Sequence, residues 1–273
     1  MMNHSKTLTA LLFIFFSIGT LSGQELIVFE SKHLKCNDSI LVFTPSNLDK
    51  TASIPTLFLL HGFSGNYKNW SERYDLQKIS EKYRFRIICP DGFYNSWYVD
   101  NVDPQKMQWK KFFNEELFPD FEKKFNLSPE NTFISGLSMG GHGAINLYID
   151  HPERFRSAGS MSGVLDLHHT PLKNTYMKEV LGEYENNSLF DSESAVIRAM
   201  KISGSSKPLI ISCGYDDVYL KSTEAFAARC KSLNIPYIMT LSKGDHSWRY
   251  WGYALELHLW MFGRIMNGEN LGY

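Results

Sequence analysis

Cysteine is scarce in this chain, at four in 273 residues. No two cysteines form a C-x-x-C, and none stands with histidines at metal-ligand spacing. That excludes a disulfide-dense or zinc-built small fold, and no structural metal is expected. An excess of charge of one sign is also missing. The 28 Lys and Arg face 29 Asp and Glu, for a net charge of −1. Without a basic run or an arginine-rich helix, nucleic acid is not the expected partner. Repeats, low-complexity segments and linkers are absent as well. Long apolar runs are absent but for Leu8 to Ile18. Lys6 precedes that run, and Gly19, Thr20, Ser22 and Gly23 follow it. A positive start, an apolar stretch shorter than the ~20 residues of a spanning helix and small residues after it read as a signal peptide over residues 1–23. Cleavage is expected near Gly23-Gln24. With no cysteine there, a lipoprotein is not expected. The expectation is export, to a bacterial periplasm or beyond, of a mature domain 24–273 with no stable membrane anchor.

What is present suits one globular domain. Hydrophobic residues make up 43% and charged residues 21%, enough apolar surface for a sizeable core. Leu26 to Phe29 and Ile40 to Phe43 read as an N-terminal hairpin. Pro55 to Leu60, Phe85 to Cys89, Thr132 to Ile134, Ser157 to Met161, Pro208 to Cys213 and Tyr237 to Leu241 are short apolar runs. Such runs suit strands covered on both faces. Helical spacing lies between them, over Tyr74–Tyr83, from Trp109 to Phe125, after Ser138, over Ser222–Leu233 with Ser222 or Thr223 as cap, and over Tyr250–Ile265. Pro119 should kink the second of these. The alternation predicts an α/β fold, a mostly parallel doubly wound sheet of about eight strands with flanking helices. Residues 163–207 carry only modest helical patterns. They are expected either as a small cap over the site or as a crossover helix with long loops. Cys89 and Cys213 end buried runs, Cys36 lies in an early loop and Cys230 on a helix; three full pairings remain open.

The stretch Thr132 to Leu147, TFISGLSMGGHGAINL, carries the chemistry. A strand runs into Gly136-Leu137-Ser138-Met139-Gly140 and a helix follows, the G-x-S-x-G of a nucleophile elbow. The glycines two before and two after the serine avoid collisions with the neighbouring strand and helix, and Gly141 and Gly143 suit close packing of the helix on the sheet. The competing reading is a glycine-rich turn with an incidental serine. A serine hydroxyl needs a base. Of nine histidines, His246 follows the last strand in a short Gly-Asp-His-Ser loop and is the expected base. His61 sits in a turn with another use, and His142 points along the elbow helix. The base in turn needs an acid, and Asp216 and Asp217 follow the strand ending at Cys213. Asp245 adjoins His246 too closely to turn back on its ring and more naturally shapes the loop. An oxyanion needs backbone N–H donors. Met139, after the serine, supplies one, and Phe63, in His61-Gly62-Phe63, the other. His61, Ser138, Asp217 and His246 all follow apolar runs, which puts them on one edge of the sheet.

The segments LLHGFSGNYKNW, CPDGFYNSWYVD, ISGLSMGGHGA, CGYDD and GDHSWRYW resemble the putative-esterase family of α/β-hydrolases. That family includes tributyrin esterases, S-formylglutathione hydrolases, feruloyl and acetylxylan esterases and mycolyltransferases. The resemblance covers about residues 26 to 265. Its C-G-x-x-D pattern implies Asp217 as the acid and its G-x-H-x-W pattern His246 as the base, with donors at Phe63 and Met139 and no cofactor. The chain order Ser, Asp, His is that of α/β-hydrolases. It implies a serine carboxylesterase releasing acetyl, feruloyl or other short acyl groups. Export favours a carbohydrate ester over the substrate of the cytoplasmic S-formylglutathione hydrolases, and nothing marks a lipid tunnel. Trp97, Tyr98 and Trp248, with Trp251, are expected to form a stacking platform for substrate, against the alternative of ordinary packing. The other readings are a thioesterase or acyltransferase of the S-formylglutathione hydrolase kind, a non-catalytic carbohydrate-binding module and, less favoured, a peptidase. The expected partner is a small-molecule or polysaccharide ester, and a homodimer is compatible with the sequence.

Overall fold

A computed structural model describes residues 23–46, 53–185 and 187–272. The expected signal peptide, but for Gly23, lies outside the described residues. Among the described residues no helix is long and apolar enough to cross a membrane.

Eight strands form one sheet in the order β1-β2-β4-β3-β5-β6-β7-β8. They are β1 (Gln24–Glu30), β2 (Asn37–Phe43), β3 (Thr56–Leu60), β4 (Arg86–Cys89), β5 (Thr132–Gly136), β6 (Ser157–Met161), β7 (Leu209–Gly214) and β8 (Tyr237–Ser242). β1 pairs antiparallel with β2, and β2 with β4. Every other pairing is parallel. Each strand expected from the apolar runs is present, with ends displaced by at most three residues. Alternate residues serve opposite faces, as the strand period of two requires. Phe58 and Leu60 join one core cluster with Ile88 and Ile134. Leu57 and Leu59 join the other with Ile87 and Phe133. Both faces are covered, which is why these strands are uninterrupted apolar runs.

The helices are α1 (Asn69–Arg73), α2 (Leu76–Tyr83), α3 (Trp109–Lys111), α4 (Phe118–Phe125), α5 (Met139–Asp150), α6 (Lys178–Leu181), α7 (Ser188–Glu193), α8 (Ala195–Arg198), α9 (Leu220–Ser232) and α10 (Trp248–Met266). At Pro119 the regular α-helix is interrupted: a π-helical turn, Phe112–Leu117, joins α3 to α4 and places Pro119 in the first turn of α4. Proline has no N–H to donate and crowds the carbonyl of the preceding turn, so widening that turn removes both problems. One expected cap is corrected. Ser222 and Thr223 lie inside α9, whose N-cap is Tyr219. The Ser222 hydroxyl instead accepts from the N–H groups of Leu165 and Asp166, 2.9 Å each.

Residues 163–207 hold the short helices α6, α7 and α8, with long connections between them. α8 packs as a crossover on α5, where buried Arg198 pairs with Asp150. Residues 176–180 are instead tied to the loop after β4, through Asn95, Asn101 and Val102. All four cysteines are free. Cys36 is exposed and Cys89, Cys213 and Cys230 are buried; burial pushes the Cys230 thiol up to about 12.

On the α10 side of the sheet sits a buried polar chain. His258 Nδ1 is 3.0 Å from Ser135 Oγ, its Nε2 is 2.7 Å from Ser212 Oγ, and Ser212 Oγ is 2.8 Å from Thr240 Oγ1. Burial pulls the pKa of His258 down to about 3, so the ring is neutral.

Candidate active site

The elbow sets the geometry. Ser138 has φ 51° and ψ −116°, a region that non-glycine residues avoid and that costs about 1–3 kcal/mol. The surroundings impose it. Ser138 N–H donates to the Met161 carbonyl at 2.9 Å, and Gly140 N–H to the Leu137 carbonyl at 2.7 Å. The flanking glycines are required as expected. A Cβ at Gly140 would lie 2.5 Å from the carbonyl oxygens of His61 and Leu60, and one at Gly136 would lie 2.5 Å from the Gly140 backbone. Gly141 faces Ser160 of β6. Gly143, by contrast, does not serve the sheet: a Cβ there would meet the Tyr98 ring at 2.6 Å.

His246 stands between Ser138 and Asp217. Its Nε2 is 3.0 Å from Ser138 Oγ, and its Nδ1 is 3.1 Å from each Asp217 carboxylate oxygen. With the proton on Nδ1 donated to Asp217, the Nε2 lone pair accepts from the serine hydroxyl. Asp217 is buried, and its Oδ1 also accepts from Tyr219 N–H at 2.8 Å. Burial works to raise this carboxyl, but the hydrogen bond and charge of His246 together with the Tyr219 N–H outweigh it and hold its pKa below the usual value. Asp216 is exposed and does not meet the histidine. Asp245 shapes its own loop, as expected, accepting from Ser247 N–H and from the Ser247 hydroxyl. Tyr219 and Trp251 wall the imidazole edge-on, with ring centroids at 5.0 and 4.9 Å.

The loop after β3 closes on the serine from the other flank. A Cβ at Gly62 would lie 2.5 Å from Leu137 Cδ1 and 3.5 Å from Ser138 Cβ. Among the described residues, neither Phe63 N–H nor Met139 N–H has an acceptor in the protein. Met139 opens α5, so its N–H also lies at the positive end of the helix dipole. A brace holds this loop. Gly92 N–H donates to His61 Nε2 at 2.7 Å, which leaves the ring proton on Nδ1, donated to the Gly62 carbonyl at 2.8 Å. The Tyr98 hydroxyl donates to the His61 carbonyl at 2.9 Å. The Trp70 indole donates to the Leu60 carbonyl at 3.2 Å. Both ring nitrogens of His61 are thus committed within the loop.

An acidic pair, buried Asp38 and half-buried Asp91, extends the brace. Asp91 Oδ1 accepts from Phe93 N–H at 2.7 Å, and Asp38 Oδ1 accepts from Asp91 N–H at 3.0 Å. Asp38 is fully buried, and its Oδ2 has no partner among the described residues. Burial, with the neighbouring Asp91 charge, holds its carboxyl well above the usual range. Nothing in the pattern of β2 had marked Asp38 for such a place.

His142 has a packing role. It is buried, with Nδ1 3.0 Å from the Trp97 carbonyl and Nε2 3.0 Å from the Glu193 carbonyl. Burial pulls its pKa down to about 3. His33, His151, His168 and His169 each pair with a local carboxylate away from Ser138.

The expected aromatic platform needs correction. Trp97 and Tyr98 are fully buried. Trp97 donates its indole N–H to Asn95, and the Tyr98 ring fills the space left by Gly92 and Gly143. Trp248 is half-buried and packs edge-on against Trp70 and Trp251, centroids 5.3 Å from each. The exposed rings beside the loop after β3 are instead Tyr94 and Tyr176, which flank Phe63 at 5.0 and 4.6 Å.

Residues 31–260 match the family model described as putative esterase. An acetyl esterase of Caldicellulosiruptor saccharolyticus is 29% identical over 264 residues, covering 86% of this chain and 96% of the relative. The S-formylglutathione hydrolase of Mus musculus is 24% identical over 271 residues, covering 89% and 94%. Among solved structures, a ferulic acid esterase superposes with a TM-score of 0.76 at 24% identity, covering 89% of this chain and 99% of its own. The S-formylglutathione hydrolase of Agrobacterium tumefaciens gives 0.79 at 20% identity, covering 93% and 100%.

Proposed function

Because this chain belongs to the putative esterase family and is a carboxylic ester hydrolase of the α/β-hydrolase fold, we propose that Ser138, His246 and Asp217 are its catalytic triad. The observation that carries this is His246 held between the other two by contacts of 3.0 and 3.1 Å. In this mechanism Ser138 Oγ attacks the ester carbonyl as its proton passes to His246 Nε2. Asp217 keeps the imidazole in the Nδ1–H tautomer and stabilises the imidazolium. The carbonyl oxygen gains charge between the N–H groups of Phe63 and Met139, both of which lack an acceptor among the described residues. His246 then gives the proton to the leaving alcohol, and water repeats the sequence to release the acid.

The substrate in this reading is a short acyl ester, acetyl or feruloyl, on a carbohydrate, and the enzyme works after export. The acetyl esterase relative, the ferulic acid esterase neighbour and the signal-like N-terminal residues support it. Thioester hydrolysis of the S-formylglutathione hydrolase kind is the second reading, supported by the relatives of that name. A side-by-side assay of acetylated xylan, methyl ferulate and S-formylglutathione separates the two, and turnover of the thioester alone overturns the first. For the nucleophile, Ser138→Ala should lower kcat on the order of 10⁴-fold or more and abolish fluorophosphonate labelling with the fold intact. Undiminished labelling would overturn the assignment.

A further inference from the structure

In the strand order β4-β3-β5-β6-β7-β8, Ser138 follows the middle strand β5. Phe63 and Tyr94 follow β3 and β4 on one flank, and Tyr176 belongs to the segment between β6 and β7 on the other. The Tyr176 ring nevertheless lies 4.6 Å from that of Phe63. The segment therefore passes the position of β5 in the strand order to reach the loops after β3 and β4. It is fastened where it lands. Asn95 Nδ2 donates to the Tyr176 carbonyl at 2.8 Å and to Glu179 Oε2 at 3.0 Å. Asn101 Nδ2 donates to the Glu179 carbonyl at 3.1 Å, and Val102 N–H to the Val180 carbonyl at 2.8 Å. Tyr94 meets Phe63 from its own side at 5.0 Å. Tyr94 and Tyr176 remain 57% and 39% exposed, although rings of this size usually bury most of their surface.

The three directions around the reacting carbon decide what these rings can touch. The leaving oxygen must face His246, which enters from the β7–β8 flank. The oxyanion faces the N–H groups of Phe63 and Met139. The remaining bond, to the acyl substituent, runs along the other flank, past the Phe63 ring. We propose that Tyr94 and Tyr176 form a specificity-determining aromatic clasp for the acyl group, selecting a flat aryl acyl chain over acetyl. This rests on the reading of Ser138 as the esterase nucleophile. Beyond Tyr94 the surface opens into a cavity of about 460 Å³, bordered by Asn95, Asn101, Met107 and Glu179. That volume lies in the range of small-molecule pockets and accommodates a substituted phenyl ring.

The test compares methyl ferulate with methyl acetate, which share their alcohol and differ in the acyl group. In Tyr94→Ala/Tyr176→Ala the ferulate-to-acetate ratio of kcat/KM should fall at least tenfold, while Tyr94→Phe/Tyr176→Phe keeps most of it. Ferulate binding to Ser138→Ala, read by fluorescence, should weaken about tenfold when both tyrosines become alanine. An unchanged ratio or unchanged ferulate affinity, with acetate still cleaved, overturns the clasp and leaves the esterase reading standing. A wild type that cleaves neither ester and is not labelled at Ser138 overturns both.

Discussion

Asp216 and Asp217 are adjacent in the chain, yet only Asp217 meets His246, with both carboxylate oxygens 3.1 Å from Nδ1. The turn after β7 points Asp217 inward, where Tyr219 N–H holds it, and leaves Asp216 in solvent. Asp217→Asn should therefore lower kcat by about 10³–10⁴-fold, because the amide favours the wrong imidazole tautomer. Asp216→Asn should stay within about threefold of the wild type, since removing an exposed charge costs little. Steady-state kinetics on p-nitrophenyl acetate check both, and a reversed pattern would move the acid to Asp216.

Gly140 and Gly263 make a contrasting pair. A Cβ at Gly140 would strike two backbone carbonyls, whereas at Gly263 nothing lies within 4 Å. Gly140→Ala should cost about 1–3 kcal/mol or prevent folding, because backbone has to move. Gly263→Ala, inside α10, should add roughly 0.5–1 kcal/mol through helix propensity alone. Urea denaturation midpoints would show shifts of opposite sign.

The Tyr98 hydroxyl is expected to matter through the oxyanion loop. Tyr98→Phe leaves the buried His61 carbonyl without its donor, at a cost of about 1–3 kcal/mol. It should also lower kcat more than it raises KM, because the Phe63 N–H is then held less firmly against the developing charge. Equal stability of variant and wild type would show that the contact carries no weight.

Asp38 gives a pH signature. Its folded-state pKa is raised, by burial first and then by Asp91. Above the unfolded value of ~3.9 the unfolded chain releases a proton that the native state still binds. Stability therefore falls as pH rises, until the folded pKa is passed. Asp38→Asn keeps the acceptor for Asp91 N–H and removes the titration. The difference in Tm, variant minus wild type, should grow in thermal melts as pH rises above about 4. A difference independent of pH would contradict the raised pKa.

The sheet was legible in the sequence because burial on both faces writes a strand as an unbroken apolar run, and the elbow glycines were legible because backbone lies against them. The aromatic residues of the loop after β4 were misjudged for a reason that spacing does not encode. Phe93, Trp97 and Tyr98 all have positive φ, and those turns fold the loop inward instead of leaving it at the surface. The room Tyr98 needs comes from Gly92 and from Gly143, which lies far away in the chain. Asp38 escaped notice in the same way. An aspartate beside a polar loop looks solvated until the partner loop is seen to close over it.

Strand β8 is the open edge of the sheet, all six of its residues half-exposed, and a free edge is where register is least secure. Sliding it by one residue would turn Met239 or Leu241 toward the place of Thr240 and strip Ser212 of a partner in the chain that runs through His258 to Ser135. That contact and the pairing with β7 together fix the residue at which β8 gives way to the loop that carries His246.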